Sequence, residues 1–222
     1  MGTAERKERE RNRRQNDILD AAEEVFFTKG FNEATMADVA EKAELSKGTL
    51  YLYFKNKEAL YLGINLRAME ALKRKFEETL REHDKASSKV LALGLAYIDY
   101  AIEYPYYFKT MSFVEALQLE SYERINEDTL MQKCHIAGSG ILQLLADTVK
   151  LGQEAGYLRP ELNPMKTAIL LWASSNGVIL MNQNKGGHFY EAHGFDKDFL
   201  LDEYMRFCTL AMYKIPPELP IE

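Results

Sequence analysis

Apolar residues recur along this chain at intervals of three and four, the spacing that gathers them on one side of an α-helix. Ile18, Ala22, Val25 and Phe26 keep that spacing, with Leu19 and Ala21 widening the stripe. They predict a first helix over about residues 13–29, which Gly30 closes in the left-handed position that suits glycine. Thr35, with Asp38 three residues on, predicts the cap of a second helix that buries Met36, Val39, Ala40 and Ala43. Ser46 caps a third over about residues 47–54, with Leu50 and Phe54 on one face. A fourth opens at Asn56 and carries Leu60, Ile64, Ala68, Leu72, Phe76 and Leu80 as one stripe to about Arg81. It would be a rod of about 37 Å, with solvent-side pairs Lys73–Glu77 and Arg74–Glu78.

His83–Ser88 reads as a loop, after which long helices rich in aromatics take over. Leu91, Leu95, Ile98 and Ile102 predict a fifth helix ending before Pro105, and Tyr106–Leu117 a sixth. A seventh over about residues 122–154 contains Gly138 and Gly140, each costing about 1 kcal/mol in a helix interior, so a kink or close helix approach is expected there. The stretch Gly156–Pro160 ends it. An eighth spans about residues 164–184, a Gly186–Gly187 loop follows, and a ninth runs from Asp196 to about Lys214, stopped by Pro216, Pro217 and Pro220. Strand alternation and internal repeats are missing. The expected class is all-α, with about nine helices: a charged flexible arm over 1–12, a three-helix head over 13–60, and a larger helical body over 61–222.

Charge changes that picture only through its placement. The 222 residues are 46% hydrophobic and 28% charged, enough to bury a core, and the net charge of −6 argues against a nucleic-acid partner. Yet Arg6, Lys7, Arg9, Arg11, Arg13 and Arg14 crowd the beginning, and Lys47, Lys55 and Lys57 bracket the third helix. Phosphate binding depends on where cations sit. The first residues read either as a fraying lead-in or as an arm reaching phosphate or the minor groove. A membrane span is not expected, because no apolar run approaches the ~18 residues required. The charged start argues against a secretory signal, and two isolated cysteines, Cys134 and Cys208, suit a reducing cytoplasm.

The third helix is a poor core element. Leu50 and Phe54 face inward, leaving Thr49, Leu52 and Tyr53 outward with Lys47 and Tyr51 on the flank. Eight residues at 1.5 Å each give about 12 Å, the width of a DNA major groove. It reads as a DNA-reading helix; the alternative is a small three-helix core with incidental surface aromatics.

Together the residues KGFNEATMADVAEKAELSKGTLYLYFKNKEAL resemble the TetR family of bacterial transcriptional regulators. The pattern is a glycine ending helix 1, a threonine entering helix 2, then Ser-Lys-Gly-Thr-Leu-Tyr and an aromatic pair before Lys-Asn-Lys-Glu. It covers Arg13 to about Gly63; further on, Gly152–Pro164 and Leu171, Trp172 and Gly177 match in layout only. One departure stands out: Glu44 occupies a turn position where the family usually has glycine. The resemblance implies that Thr35 bonds a phosphate and that Lys47, Gly48 and Thr49 meet the bases where bare backbone allows close approach. Tyr51 and Leu52 would face the groove, and Tyr53 and Lys57 would anchor phosphate. It further implies a homodimer on a palindromic site in double-stranded DNA.

For the body the resemblance implies a ligand pocket and a dimer interface formed by helices 8 and 9. Candidate pocket residues are Tyr97, Tyr100, Tyr107, Met111, His135, Trp172 and Asn176, a set suited to a small, largely apolar effector held by a few hydrogen bonds. The plain alternative for each is a core role. No cofactor is expected, nor a metal site, since His188 and His193 lack convincing further ligands. Cys134 and His135 fall on different helix faces, against a nucleophile–base pair, so catalysis is not expected. The leading expectation is a ligand-responsive repressor. The other is a TetR-like architectural DNA-binding protein whose body docks a protein partner.

Overall fold

The computed structural model describes residues 2–116, 129–183, 190, 192–194 and 199–215. Among these the architecture is all-α, with nine helices and one isolated bridge between Leu158 and Tyr213. The helices are α1 (Thr3–Lys29), α2 (Met36–Lys42), α3 (Lys47–Tyr51), α4 (Lys57–Glu82), α5 (Ala86–Glu103), α6 (Pro105–Ala116), α7 (Thr129–Glu154), α8 (Pro164–Gln183) and α9 (Phe199–Met212). The expected starts of the seventh and ninth helices, the Gly186–Gly187 loop, His188 and the three closing prolines lie outside the described residues.

Several boundaries differ from expectation for local reasons. Residues 3–12 are the opening turns of α1. Glu, Lys and Arg are good helix formers that favour propagation of the helix beyond its apolar stripe. The reading helix α3 is shorter than expected and ends at Tyr51. Beyond it the Tyr53 and Phe54 amides both return to the Leu50 carbonyl, at 3.0 Å each, which tightens the chain into a turn. α5 begins three residues early, at Ala86. α7 runs unbroken through Gly138 and Gly140; Met69 lies at ordinary contact distance from Gly138, and nothing crowds Gly140.

The chain divides into two compact units, Met1–Ala68 with Tyr106–His135, and Met69–Pro105 with Ile136–Glu222. The first reaches further along α4 than the expected boundary at 60, because Leu60 and Ile64 on α4 belong to its core. That core joins Ile18, Ala22 and Phe26 of α1 to Val39 of α2 and Leu50 and Phe54 around α3. α6 is part of the same unit: Tyr106 stacks on Phe27 at 4.6 Å between ring centroids. The Tyr107 hydroxyl donates to the Glu23 carboxylate at 3.1 Å. Arg67 of α4 completes this corner, donating to Asp20 at 2.7 Å and to Glu23 at 2.9 Å.

In the second unit the buried face of α5 runs through Leu93, Tyr97, Tyr100 and Ala101. Leu95 and Ile102, expected inside, are exposed. α5 is apolar around most of its circumference, so periodicity alone did not select the face. α8 and α9 pack on one another, and Tyr204 of α9 ties them together, its hydroxyl lying 2.6 Å from Ser174 and 3.1 Å from Ser175 on α8. The chain after α9 is fastened to the α7–α8 link: the Arg159 amide donates to Met212 and the Lys214 amide to Tyr157, both at 3.0 Å.

Candidate DNA-reading head and body cavity

Three caps set the reading head. Thr35 accepts from the Asp38 amide at 3.2 Å, while its own amide and hydroxyl each donate to the Asp38 carboxylate at 2.9 Å. The same carboxylate pairs with Lys29 at 2.9 Å. The bond to Lys29 and those to Thr35 hold its pKa down to about 2. Ser46 accepts from the Thr49 amide at 3.1 Å, and its hydroxyl is hydrogen-bonded to the Thr49 hydroxyl at 2.8 Å. Asn56 accepts from the Ala59 amide at 2.8 Å and so starts α4.

Between α2 and α3 the Leu45 amide donates to the Ala40 carbonyl at 2.9 Å and the Glu44 amide to Glu41 at 3.0 Å. This is the two-bond helix ending that places its turn residue in the left-handed region. Glu44 occupies that place with φ 54, where glycine is favoured. The departure from the family pattern thus falls on a turn with the usual geometry and an unusual residue.

Around α3 the expected inner face is kept, but Thr49 and Tyr53, expected outward, are partly turned in. Leu50 and Phe54 are buried, while Leu52 is 78% and Tyr51 49% exposed. Lys47 and Gly48 are exposed, Thr49 and Tyr53 half-buried, and Tyr53 packs on the head core. A β-carbon at Gly48 would find only the Ser46 hydroxyl, at 3.8 Å, so the fold itself leaves room for a side chain there.

Two expected phosphate contacts are engaged within the protein. Thr35 is exposed, but its hydroxyl proton is directed to Asp38. The Lys57 ammonium donates to the Phe31 carbonyl at 2.6 Å and the Asn32 carbonyl at 3.1 Å, and it lies 4.5 Å from the centre of the Phe31 ring. It is a clasp between the start of α4 and the loop after α1. Sequence spacing does not reveal this, because the partners are backbone carbonyls some 25 residues earlier.

The body unit contains an apolar cavity enclosing about 60 Å³, lined from α4, α5, α7, α8 and α9. Of the seven expected pocket residues it takes Tyr97 and Trp172 directly. Asn176 stands behind Tyr97, accepting from its hydroxyl at 2.7 Å. The other four lie elsewhere. Tyr100 is fully buried among core side chains. Tyr107 is in the head unit, on Glu23, and Met111 lies in that unit on the same helix. His135 is exposed on α7. The wall is completed by residues that sequence reasoning did not single out, including Leu72 and Phe76 of α4 and Met205 and Cys208 of α9. Among the described residues no cluster of His, Cys, Asp and Glu could hold a metal ion, and no helix is long and apolar enough to cross a membrane.

Residues 18–64 match the family model for bacterial regulatory proteins of the tetR family. Across 167 residues, covering 73% of this chain and 78% of its relative, the chain is 26% identical to the HTH-type transcriptional regulator UidR of Escherichia coli K12. It is 28% identical over 172 residues to the fatty acid metabolism regulator protein of Bacillus subtilis, covering 76% and 84% of the two chains. The solved structure of the transcriptional regulator FadR from Bacillus subtilis in complex with stearoyl-CoA superposes with a TM-score of 0.64 at 21% identity, over 88% of this chain and 97% of that one. The matched residues are those of the three-helix head, and the fold likeness extends through the body. Residues 18–64 are thus a TetR-type helix-turn-helix head, and the chain is a DNA-binding transcription regulator of that type.

Proposed function

We propose that the protein is a ligand-responsive repressor that binds a palindromic operator as a homodimer and is released by a small, largely apolar effector. The observation that carries the reading is the orientation of α3. It buries Leu50, and the turn after it Phe54, yet Lys47, Gly48, Tyr51 and the capping Leu52 are all presented to solvent. Lys47 and Thr49 meet base edges, Leu52 meets a thymine methyl, Tyr51 lines the groove and Tyr53 bonds phosphate. Thr35 and Lys57 act one step back, shaping the entry to α2 and α4.

The apolar cavity supports an effector site built around Tyr97, Trp172 and Asn176, and the stearoyl-CoA complex of the Bacillus subtilis relative supports ligand binding by a body of this fold. At about 60 Å³ the cavity is well under the ~300 Å³ of an occupied ligand site, so an effector must spread its walls. α4 contributes Leu60 and Ile64 to the head core and, further along, Leu72 and Phe76 to the cavity. Release requires that the effector prefer the geometry that does not fit the operator. The exposed apolar residues of α8 and α9 serve a second copy of this chain in this reading; docking of another protein is the competing one.

Selection from a pool of random duplexes tests the proposal. An enriched inverted repeat, bound by dimers, is expected, and Lys47→Ala should relax preference at one base pair in each half-site. Enrichment of single half-sites or of no sequence would overturn it.

A further inference from the structure

Among the described residues lining the body cavity, none is a lysine, arginine, histidine, aspartate or glutamate. Four of its side chains, Tyr97, Tyr204, Cys208 and Tyr213, are weak acids. Burial pushes the Tyr204 hydroxyl up to about 12 and raises the Cys208 thiol and the Tyr213 hydroxyl above their ordinary values. The last is tempered by the Leu91 backbone amide. Each shift has the same origin, since negative charge in this wall loses hydration and gains no cation. A ligand carboxylate would meet the same loss. An ammonium group fares no better, since no carboxylate faces it.

The wall does offer neutral hydrogen bonding. Ser175 and Tyr204 place two hydroxyls 3.1 Å apart; Tyr204 is also held by Ser174 at 2.6 Å and by the Leu171 carbonyl at 3.2 Å, which leaves Ser175 as the hydroxyl that can turn to donate or to accept. The cavity can also open. A β-carbon on Gly94 of α5 would come within 2.8 Å of the Met205 terminal methyl on α9, so α5 and α9 meet here through a flexible thioether chain that yields cheaply. Resting on the reading of this cavity as the effector site, we infer that the effector is an uncharged, mainly apolar molecule bearing one hydroxyl or carbonyl group. Fatty carboxylates and alkylammonium ions are rejected.

Calorimetric titration of the full-length protein at neutral pH with 1-heptanol, heptanoate, heptylammonium and heptanoyl-CoA separates the possibilities. Heptanol is expected to bind at least tenfold more tightly than either ion, and Ser175→Arg, which supplies a cation at the wall, should raise heptanoate affinity at least tenfold. If that variant fails to fold, the wild-type series still decides. Heptanoate or heptylammonium within tenfold of heptanol would overturn the inference. Binding of heptanoyl-CoA without heptanol would overturn it too, while leaving the body a ligand-binding unit. Silence from all four probes would instead sink the effector-site reading.

Discussion

Glu44 holds a backbone angle, φ 54, that costs an L-residue about 1–2 kcal/mol relative to glycine. Replacing it by glycine relieves that strain but loosens the unfolded chain by about 0.4–1 kcal/mol. The net gain for Glu44→Gly is about 0.5–1 kcal/mol, or roughly 2 °C in melting temperature for a chain of this size. A calorimetric melt with no rise would show that the turn is unstrained. Gly48 is the converse case, a glycine inside a helix with open space where its β-carbon would be. Gly48→Ala should stabilise the head by about 0.5–1 kcal/mol. If backbone approach to DNA is what keeps the position bare, the same change weakens operator binding about tenfold, read by fluorescence anisotropy. Both positions were legible in the sequence, because glycine and its absence act through the local backbone alone. The engagement of Thr35 was only half legible. Its cap followed from Asp38 three residues on, whereas Lys29, the largest influence on that carboxylate, did not. Asp38 is an acid whose pKa is lowered on folding, so its contribution is full above about pH 4 and fades as pH falls towards 2. The stability difference between wild type and Asp38→Asn, followed by denaturant melts, should shrink over that window. A difference that grew with acid would contradict this cap.

At the scale of elements, Lys57 shows how a helix start is held. Its ammonium fixes the first turn of α4 to the carbonyls that follow α1, and Asn56 caps the same turn. Lys57→Met keeps the chain over the Phe31 ring but leaves both carbonyls without that donor, at a cost of about 1–3 kcal/mol. Operator affinity should fall with it, yet the slope of log affinity against log salt should stay unchanged. Loss of a direct phosphate contact would instead reduce that slope by about one. The helices themselves were legible where one face differs from the other. α1, α2 and the α4 stripe lie where their apolar spacing put them, from Ile18 through Phe76. α5 was legible as a helix but not in its orientation. Apolar residues occupy positions 95, 98 and 102 as well as the inner face, which includes Leu91, so only packing against neighbours decides. That ambiguity carried into the pocket. Tyr97 lines the cavity, Tyr100 is buried in the core one turn on, and Tyr107 belongs to a helix that packs with the head.

At the scale of the whole molecule, the outer sides of α8 and α9 bear on assembly. Leu170 and Phe207 are each 69% exposed, Leu210 52% and Ile169 44%, and Ser174 and Gly177 on α8 keep the surface between them low. Single exposed apolar residues are ordinary, but several on two helices already packed on one another are what an interface formed by that pair would use. A stable two-fold interface needs about 800 Å² from each copy, with large apolar anchors near its centre. Phe207 is the largest anchor available, and a two-fold axis presents it twice. Phe207→Glu therefore buries two unpaired carboxylates in any dimer built on this face, each at a cost of several kcal/mol. If this face joins two copies, sedimentation equilibrium should show a dimeric wild type and a monomeric variant at micromolar concentration, with circular dichroism unchanged because the side chain is exposed within the single chain. Operator affinity should fall at least a hundredfold, since one α3 then binds without the other, while each isolated half-site keeps its affinity. A variant that stayed dimeric and bound the operator normally would move the interface elsewhere and leave this face to a different protein.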